Sequence, residues 1–314
     1  MGGRYMEELE IVPQNQVEGM RVFLNRVEYR SPHFHSEWEL LWVLDNPLSI
    51  VYEQKKLSIE PGEVILFPPK CPHEFHEIEQ PCTFLCLQIS TKLFVSTENL
   101  RTKEVKLSNC LPPETLEWLR QTMAEIAKAC WERLPYYGLF CLGQCGLILH
   151  KLLQHVPCHV MSKEELSRVE QCNARLSRLL QFADDNYMHK IRLADFARQE
   201  GRTVSYMSHF VRDTMNQTFQ EYVNSVRFNH ARKLIATTSD PLVNICFESG
   251  FSDYRYFSQV FQQVYGMTPA EYRKQYQSVS SEQFLPAKSI HSREMIYSSA
   301  ESLKILKDFL EKTP

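Results

Sequence analysis

Two segments of this chain are written in the same grammar, and that repetition limits the folds open to it. Residues 191–213 read IRLADFARQEGRTVSYMSHFVRD and residues 240–263 read DPLVNICFESGFSDYRYFSQVFQQ. Each gives a short helix, a glycine turn (Gly201, Gly250), an N-cap (Thr203, Ser252) and a second helix, which is helix-turn-helix spacing. In the first unit Val204, Met207, Phe210 and Val211 fall on one helical face and are expected to pack inward, leaving Ser205, Ser208, His209 and Arg212 outside. In the second, Tyr256, Phe257, Val260 and Phe261 form the expected inward face, and Asp253, Tyr254, Arg255 and Gln259 face out. A solvated helix face more often carries Glu/Lys pairs. These faces carry short polar, amide and guanidinium groups, the chemistry that reads base edges, with Arg bidentate to guanine and Gln to adenine.

Between the units, Thr218–Thr237 reads as one helix, apolar at Phe219, Tyr222, Val223, Val226, Ala231, Leu234 and Ile235. A helix of roughly 20 residues is ~30 Å long. It would hold two reading heads about one DNA turn apart, ~34 Å, so that both enter successive major grooves of double-stranded DNA. The whole-chain charge of −3 gives no hint of such a partner. That total averages unlike parts: 13 Lys and Arg against 10 Asp and Glu give residues 173–277 a net +3, which leaves −6 for the remainder. Even +3 is modest, so affinity should lean on base contacts, helix N-termini and dimerisation more than on phosphate attraction.

Upstream the texture differs. From Met20 to about Ile89, short runs (RVFLNRVEY, ELLWVL, LSIVYE, EVILFP, FLCLQI) are broken by turn residues at Asp45–Pro47 and Glu60–Gly62, as in a β-sandwich or barrel. From Pro112 the period becomes helical: Thr115–Ala129, then Tyr136–His155, apolar almost all round and therefore in need of cover from its own domain or a second copy. Ser162 with Glu165 forms a capping-box opening for a third helix. Ser278–Ser289 reads as a linker, and Leu303, Leu306 and Leu310 mark a small amphipathic C-terminal helix. The fold class expected is multidomain α+β: a β-barrel domain over 1–110, a helical linker and dimerisation region over 111–170, an all-α domain with two helix-turn-helix units over 171–277, and a tail with a short helix over 278–314.

With 314 residues, 43% hydrophobic and 23% charged, the chain can bury real cores. It contains neither GxGxxG nor GxxxxGK[ST], which argues against a nucleotide-binding enzyme. No apolar run approaches the ~20 residues of a membrane span, and Met1–Glu10 leads into no signal-peptide core, so no membrane association and a cytoplasmic location are expected. The ten cysteines include no CxxC pair. Cys82 with Cys86 on a strand, and Cys141 with Cys145 on a helix, each share a face and read as small core residues.

The residues 172–276 resemble the DNA-binding domain of the AraC/XylS family of transcription regulators. The resemblance is carried by EYVNSVRFNHARKLI and by Ile245–Lys274, over Gly250-Phe251-Ser252, Tyr256-Phe257, Phe261, Gly266-Met267-Thr268-Pro269 and Tyr272-Arg273. It implies DNA contacts from Ser205, Ser208 and His209 in the first unit, and from Tyr254, Arg255, Tyr256 and Gln259 in the second. The first unit departs from the family pattern with Asn216 where glycine is usual; asparagine is the residue that best tolerates the left-handed conformation after glycine.

A second resemblance covers roughly residues 20–90. Pro32–Glu39 places His33, His35 and Glu39 at HxH-x3-E spacing, and Gly62–Pro68 leads to His73, which together resemble the two cupin motifs in the form found at the N-terminus of many AraC-type regulators. Lys70 stands where the metal-binding motif has glycine. Three readings stay open. By likeness to metal-binding cupins, His33, His35, Glu39 and His73 would hold a divalent transition metal, an N3O set. As a sensor, the same groups would line a pocket for a small-molecule effector, a sugar among the candidates, with Tyr29, Arg30, Trp42, Glu63 and His76 as further pocket residues. Or the histidines satisfy strand ends. Trp42 also reads as core, since Leu40, Trp42 and Leu44 share a strand face. The resemblance implies a homodimeric, effector-controlled DNA-binding regulator, not an enzyme and with no cofactor required, an activator by the commoner family behaviour and then a partner of RNA polymerase. The alternative is a metal-binding cupin enzyme fused to a DNA-binding module.

Overall fold

The computed structural model describes residues 17–312, apart from 54, 77–79, 103, 266 and 278–291. Seven strands open the fold: β1 (Met20–His33), β2 (Glu37–Val43), β3 (Leu48–Tyr52), β4 (Lys55–Ile59), β5 (Val64–Phe67), β6 (His73–Phe75) and β7 (Cys82–Ser90). They pair antiparallel in the order β4-β3-β6-β1-β7-β2-β5, which curls into a nearly closed barrel. Strand alternation sorts the side chains. Phe23, Leu41, Val43, Ile50, Phe67, Phe75 and Phe84 fill the interior, while Val22, Leu24, Leu40, Trp42, Leu66, Leu85 and Leu87 lie on the outer face. Cys82 and Cys86 belong to the interior, buried and free, as small apolar residues would be.

The outer face is covered by helices. After β8 (Leu100–Thr102) come α1 (Pro113–Glu132) and α2 (Tyr137–His155); β9 (Cys158–Val160) then pairs with β8. Leu119, Met123 and Ile126 of α1 and Cys141, Cys145, Ile148, Leu149 and Leu152 of α2 pack on the barrel's outer side. Each fully buried side chain of this kind contributes about 1.5–3 kcal/mol. α2 is covered by its own domain on that face only: Leu139 is 75% and Leu147 51% exposed on the other.

The helical half follows: α3 (Lys163–Asn186), α4 (Leu193–Gln199), α5 (Val204–Met215), α6 (Phe219–Thr237), α7 (Leu242–Glu248), α8 (Tyr254–Tyr265) and α9 (Pro269–Gln277). The expected capping box forms at Ser162/Glu165 for α3, and another forms at Thr218/Glu221 for α6. α6 serves two cores. Its first half (Phe219, Tyr222, Val223, Val226) joins Leu176, Phe196, Met207 and Val211; its second half (Phe228, Ala231, Ile235) joins Ile245, Phe251, Phe257 and Phe261.

Three local expectations need correction. Val204 is 49% exposed, because it is the first residue of α5 and the inward stripe begins one turn later at Met207. Tyr256 is likewise 49% exposed, and Phe257 and Phe261 carry that inward face. The cap of α8 is Asp253, whose Oδ1 accepts from Tyr256 N (2.7 Å), and not Ser252.

The C-terminal segment holds the expected helix, α10 (Ser299–Lys312), and before it an unexpected strand, β10 (Ser292–Ile296). β10 pairs antiparallel with β1 from Asn25 to Arg30, so the chain returns to the barrel it began with. Leu306 and Phe309 of α10 then pack on the outer face, with Phe309 edge-on to Trp42 at 5.4 Å. The linker expected at Ser278–Ser289 lies outside the described residues.

Candidate functional site

The end of β1, the start of β2 and the start of β6 converge at one end of the barrel. They bring together His33, His35, Glu39 and His73. β1 and β6 pair so that His33 and His73 are directly opposite, with ring centroids 4.2 Å apart. His73 stacks on Phe67 at 4.0 Å, and His33 meets Phe75 edge-on at 5.6 Å. The cluster therefore caps the apolar filling of the barrel.

Hydrogen bonding fixes how each ring is used. Nδ1 of His33 lies 2.9 Å from Ser31 O, Nδ1 of His35 3.1 Å from Glu37 O, and Nδ1 of His73 3.0 Å from Cys71 O. A carbonyl only accepts, so each Nδ1 donates, and in a neutral ring the Nε2 lone pair is left facing outward. Glu39 is held from behind: its Oε1 accepts from Gln88 Nε2 (3.0 Å) and Cys86 Sγ (3.3 Å). Its Oε2 lies 3.0 Å from His35 Nε2 and 3.1 Å from His73 Nε2.

Charge completes the description. Burial opposes ionisation of Glu39, but His35 and His73 beside it outweigh that and hold its carboxyl well below the usual range. Burial also opposes an imidazolium at His35; the Glu39 carboxylate overcomes it, and His35 titrates above its ordinary value. Burial, with the Arg30 charge, pushes His33 well down, and burial keeps His73 below its ordinary value. Nε2 of His73, fully buried, faces the Glu39 carboxylate at 3.1 Å and has no other partner among the described residues. The donor atoms of His35, Glu39 and His73 lie within 4.8 Å of one another, backed by carbonyls and amides that orient them. This set fits a divalent transition metal, with His33 beside it. Lys70 keeps the left-handed backbone (φ +62) that glycine adopts freely, so the lost glycine does not abolish the turn.

The other expected pocket residues are placed elsewhere, Arg30 apart. Arg30 Nη1 lies 3.5 Å from Glu294 Oε2 of β10, and its charge reaches His33. Tyr29 is buried on β1 at the register of Arg293. Trp42 lies on the opposite, outer face of its strand against α10, so it is a core residue and not a stacking platform for a ligand. Glu63 pairs with Lys106 (2.9 Å) and accepts from Ser108 at a turn. His76 pairs with Glu74 (3.4 Å).

In the helical half, α5 and α8 present the outward sets. Ser205, His209 and Arg212 are exposed and Ser208 half-buried; Arg255, Tyr256 and Gln259 are exposed, while Tyr254 leans on the second core. His209 Nδ1 lies 2.8 Å from Ser205 O, turned back onto its own helix. Asn216 adopts φ +50 at the end of α5, as its position requires.

Residues 20–134 match the AraC-like ligand binding domain family, and residues 196–275 match a helix-turn-helix domain family. The chain thus carries the two domains of AraC-family transcription regulators, and its relatives are regulators of that family. They include the melibiose operon regulatory protein of Escherichia coli K12, 22% identical over 79% of this chain and 87% of that one. Another is the HTH-type transcriptional activator RhaR of Mannheimia succiniciproducens, 32% identical over 33% of this chain and 37% of that one. Among the described residues no helix is long and apolar enough to cross a membrane. Phe34, between two site histidines, carried no signal in the sequence, yet it packs into the first helix-turn-helix core.

Proposed function

We propose that this AraC-family regulator is an effector-controlled activator whose sensor site is the His33–His35–Glu39–His73 cluster, with α5 and α8 reading successive major grooves through Ser205, Ser208, His209, Arg212, Tyr254, Arg255, Tyr256 and Gln259. The observation that carries the sensor reading is the fully buried Nε2 of His73, which has the Glu39 carboxylate 3.1 Å away and no other partner among the described residues. Buried polar atoms left unpaired cost free energy, and a ligand that pairs them recovers it. A small sugar is one candidate effector, in keeping with the relative named for a melibiose operon. A divalent transition metal is the second reading, favoured by the convergence of two imidazole nitrogens and a carboxylate oxygen on one point. Bound there, it would supply a Lewis-acid centre for oxygen donors of an effector.

The working unit is proposed to be a homodimer. Phe140, Gly143 and Leu147 repeat at three-four spacing along the uncovered face of α2, with the exposed Tyr136 just before its first turn, and a side chain added at Gly143 would meet open space. Such a stripe complements a second copy of itself about a two-fold axis. RNA polymerase is the partner an activator would recruit.

The test combines titration of the apo full-length protein with cobalt(II) and a thermal-shift screen of sugars. About one equivalent of cobalt(II) bound in wild type, and a loss in His73→Ala of roughly 10- to 100-fold in affinity or more, supports the metal reading. Less than about a tenth of an equivalent, together with sugar-dependent stabilisation that His73→Ala abolishes, leaves the sugar reading alone. Neither response would sink the sensor assignment.

A further inference from the structure

We propose that Phe34 is the residue through which the histidine cluster sets the position of the first reading helix. The inference rests on the sensor reading of the cluster and adds the route by which that site is read out.

The chain leaves β1 at His33 and enters β2 at Glu37. Its neighbours His33 and His35 turn into the cluster, while the ring of Phe34 packs against the first helix-turn-helix core, which holds Met207, Val211 and Met215 of α5. One peptide unit on either side thus separates a site imidazole from a side chain packed against the core that the first reading unit shares with α3. A movement of the His35 backbone displaces the Phe34 ring by a comparable amount, because a peptide unit is planar and short.

A second contact runs beside it. Lys70 N donates to His35 O (2.7 Å), and Lys70 O accepts from the buried Asn173 Nδ2 of α3 (2.9 Å). Further along α3, Arg178 forms a two-pronged pair with Glu200 at the end of α4 (2.6 and 2.8 Å), and Arg175 donates to Tyr206 OH on α5 (2.9 Å). α3 is therefore fixed to both sides, and Phe34 is the packed contact whose backbone belongs to the site itself. Packed contacts pass on discrete rearrangements because close-packed groups do not deform continuously.

The reach of the coupling follows from linkage: a ligand shifts α5 only by as much as its affinity differs between the two placements of Phe34. Couplings of this kind typically correspond to about 5- to 150-fold.

Hydrogen–deuterium exchange of the full chain, read over residues 204–226, tests this without knowing the effector. Glu39→Gln alters the cluster at constant size, and His35→Gln serves if that variant does not fold. In the wild-type background either change should shift exchange in α5 by about 5-fold or more. In Phe34→Ala the same change should shift it by less than about twofold, and Phe34→Leu, which keeps an apolar contact, should restore the response. Equal responses with and without Phe34, or no response in the wild-type background, overturn the proposal. Cobalt(II) separates the two claims. If it binds wild type and Phe34→Ala alike but moves α5 only in wild type, both the metal reading and the coupling stand. If it binds neither, the metal reading falls, and the Glu39→Gln comparison still decides the role of Phe34.

Discussion

The two helix-turn-helix units share a grammar but are held differently. The first core takes in Leu176 and Leu179 of α3 and the sensor's Phe34, whereas packing around the second core comes, among the described residues, from 228–272 alone. What ties the second unit back is a backbone approach. Gly250, at φ +84, lies against the carbonyl of Tyr187 and the Cα of Met188, and Arg227 of α6 donates to the carbonyls of Tyr187 (2.7 Å) and His189 (2.8 Å). The corresponding Gly201 of the first unit, at φ +60, has open space around it. The difference teaches that one reading head is joined to the sensor by side-chain packing, while the other is set by the length and register of α6 and one glycine.

The largest test of that contrast is a pair of substitutions. Gly201→Ala pays only for the left-handed conformation, about 1–2 kcal/mol. Gly250→Ala adds steric conflict with backbone that cannot move aside, about 1–3 kcal/mol more. Urea unfolding should therefore show Gly250→Ala the more destabilised of the two. Equal losses would mean that the second turn is not seated on the end of α3.

Next in size is DNA recognition. Arg255→Ala is expected to weaken binding to an operator selected from random DNA by about 1–3 kcal/mol and to relax one base position. His209→Ala should cost under about 1 kcal/mol, because the ring is already committed to Ser205 O. Competition binding against point-substituted operators measures both. A uniform loss over all sequences for Arg255→Ala would make it a phosphate contact instead.

Much of this was readable beforehand because it is local. The capping box at Ser162, the left-handed Asn216 and the inward stripe from Met207 to Val211 depend on residues within a turn or two of each other. The cluster was readable as well, since HxH-x3-E puts its donors on adjoining strand ends. What escaped is non-local. The pairing of β10 with β1 joins residues near opposite ends of the chain, and five residues of strand carry too little pattern to announce a partner. Trp42 was ambiguous because β2 is buried on both faces, so alternation could not tell barrel interior from helix-covered exterior. Phe34 was invisible because one apolar residue in a short loop has no period at all.

The smallest effect concerns the caps, and it tests whether the two units begin their reading helices by the same device. Thr203 Oγ1 accepts from Tyr206 N (3.2 Å) and Asp253 Oδ1 accepts from Tyr256 N (2.7 Å), each satisfying a donor that the helix start leaves open. Thr203→Ala and Asp253→Ala should each cost about 1 kcal/mol. Ser252→Ala, one residue too early to reach that amide, should stay within about 0.5 kcal/mol. The carboxylate at Asp253 also meets the positive end of the helix dipole, so its loss should exceed that of Thr203 by a few tenths and shrink toward it as salt is raised. If Ser252→Ala proved as costly as Asp253→Ala, the second helix would begin where the sequence motif first put it, and the two units would differ at their caps by more than the exchange of a hydroxyl for a carboxylate.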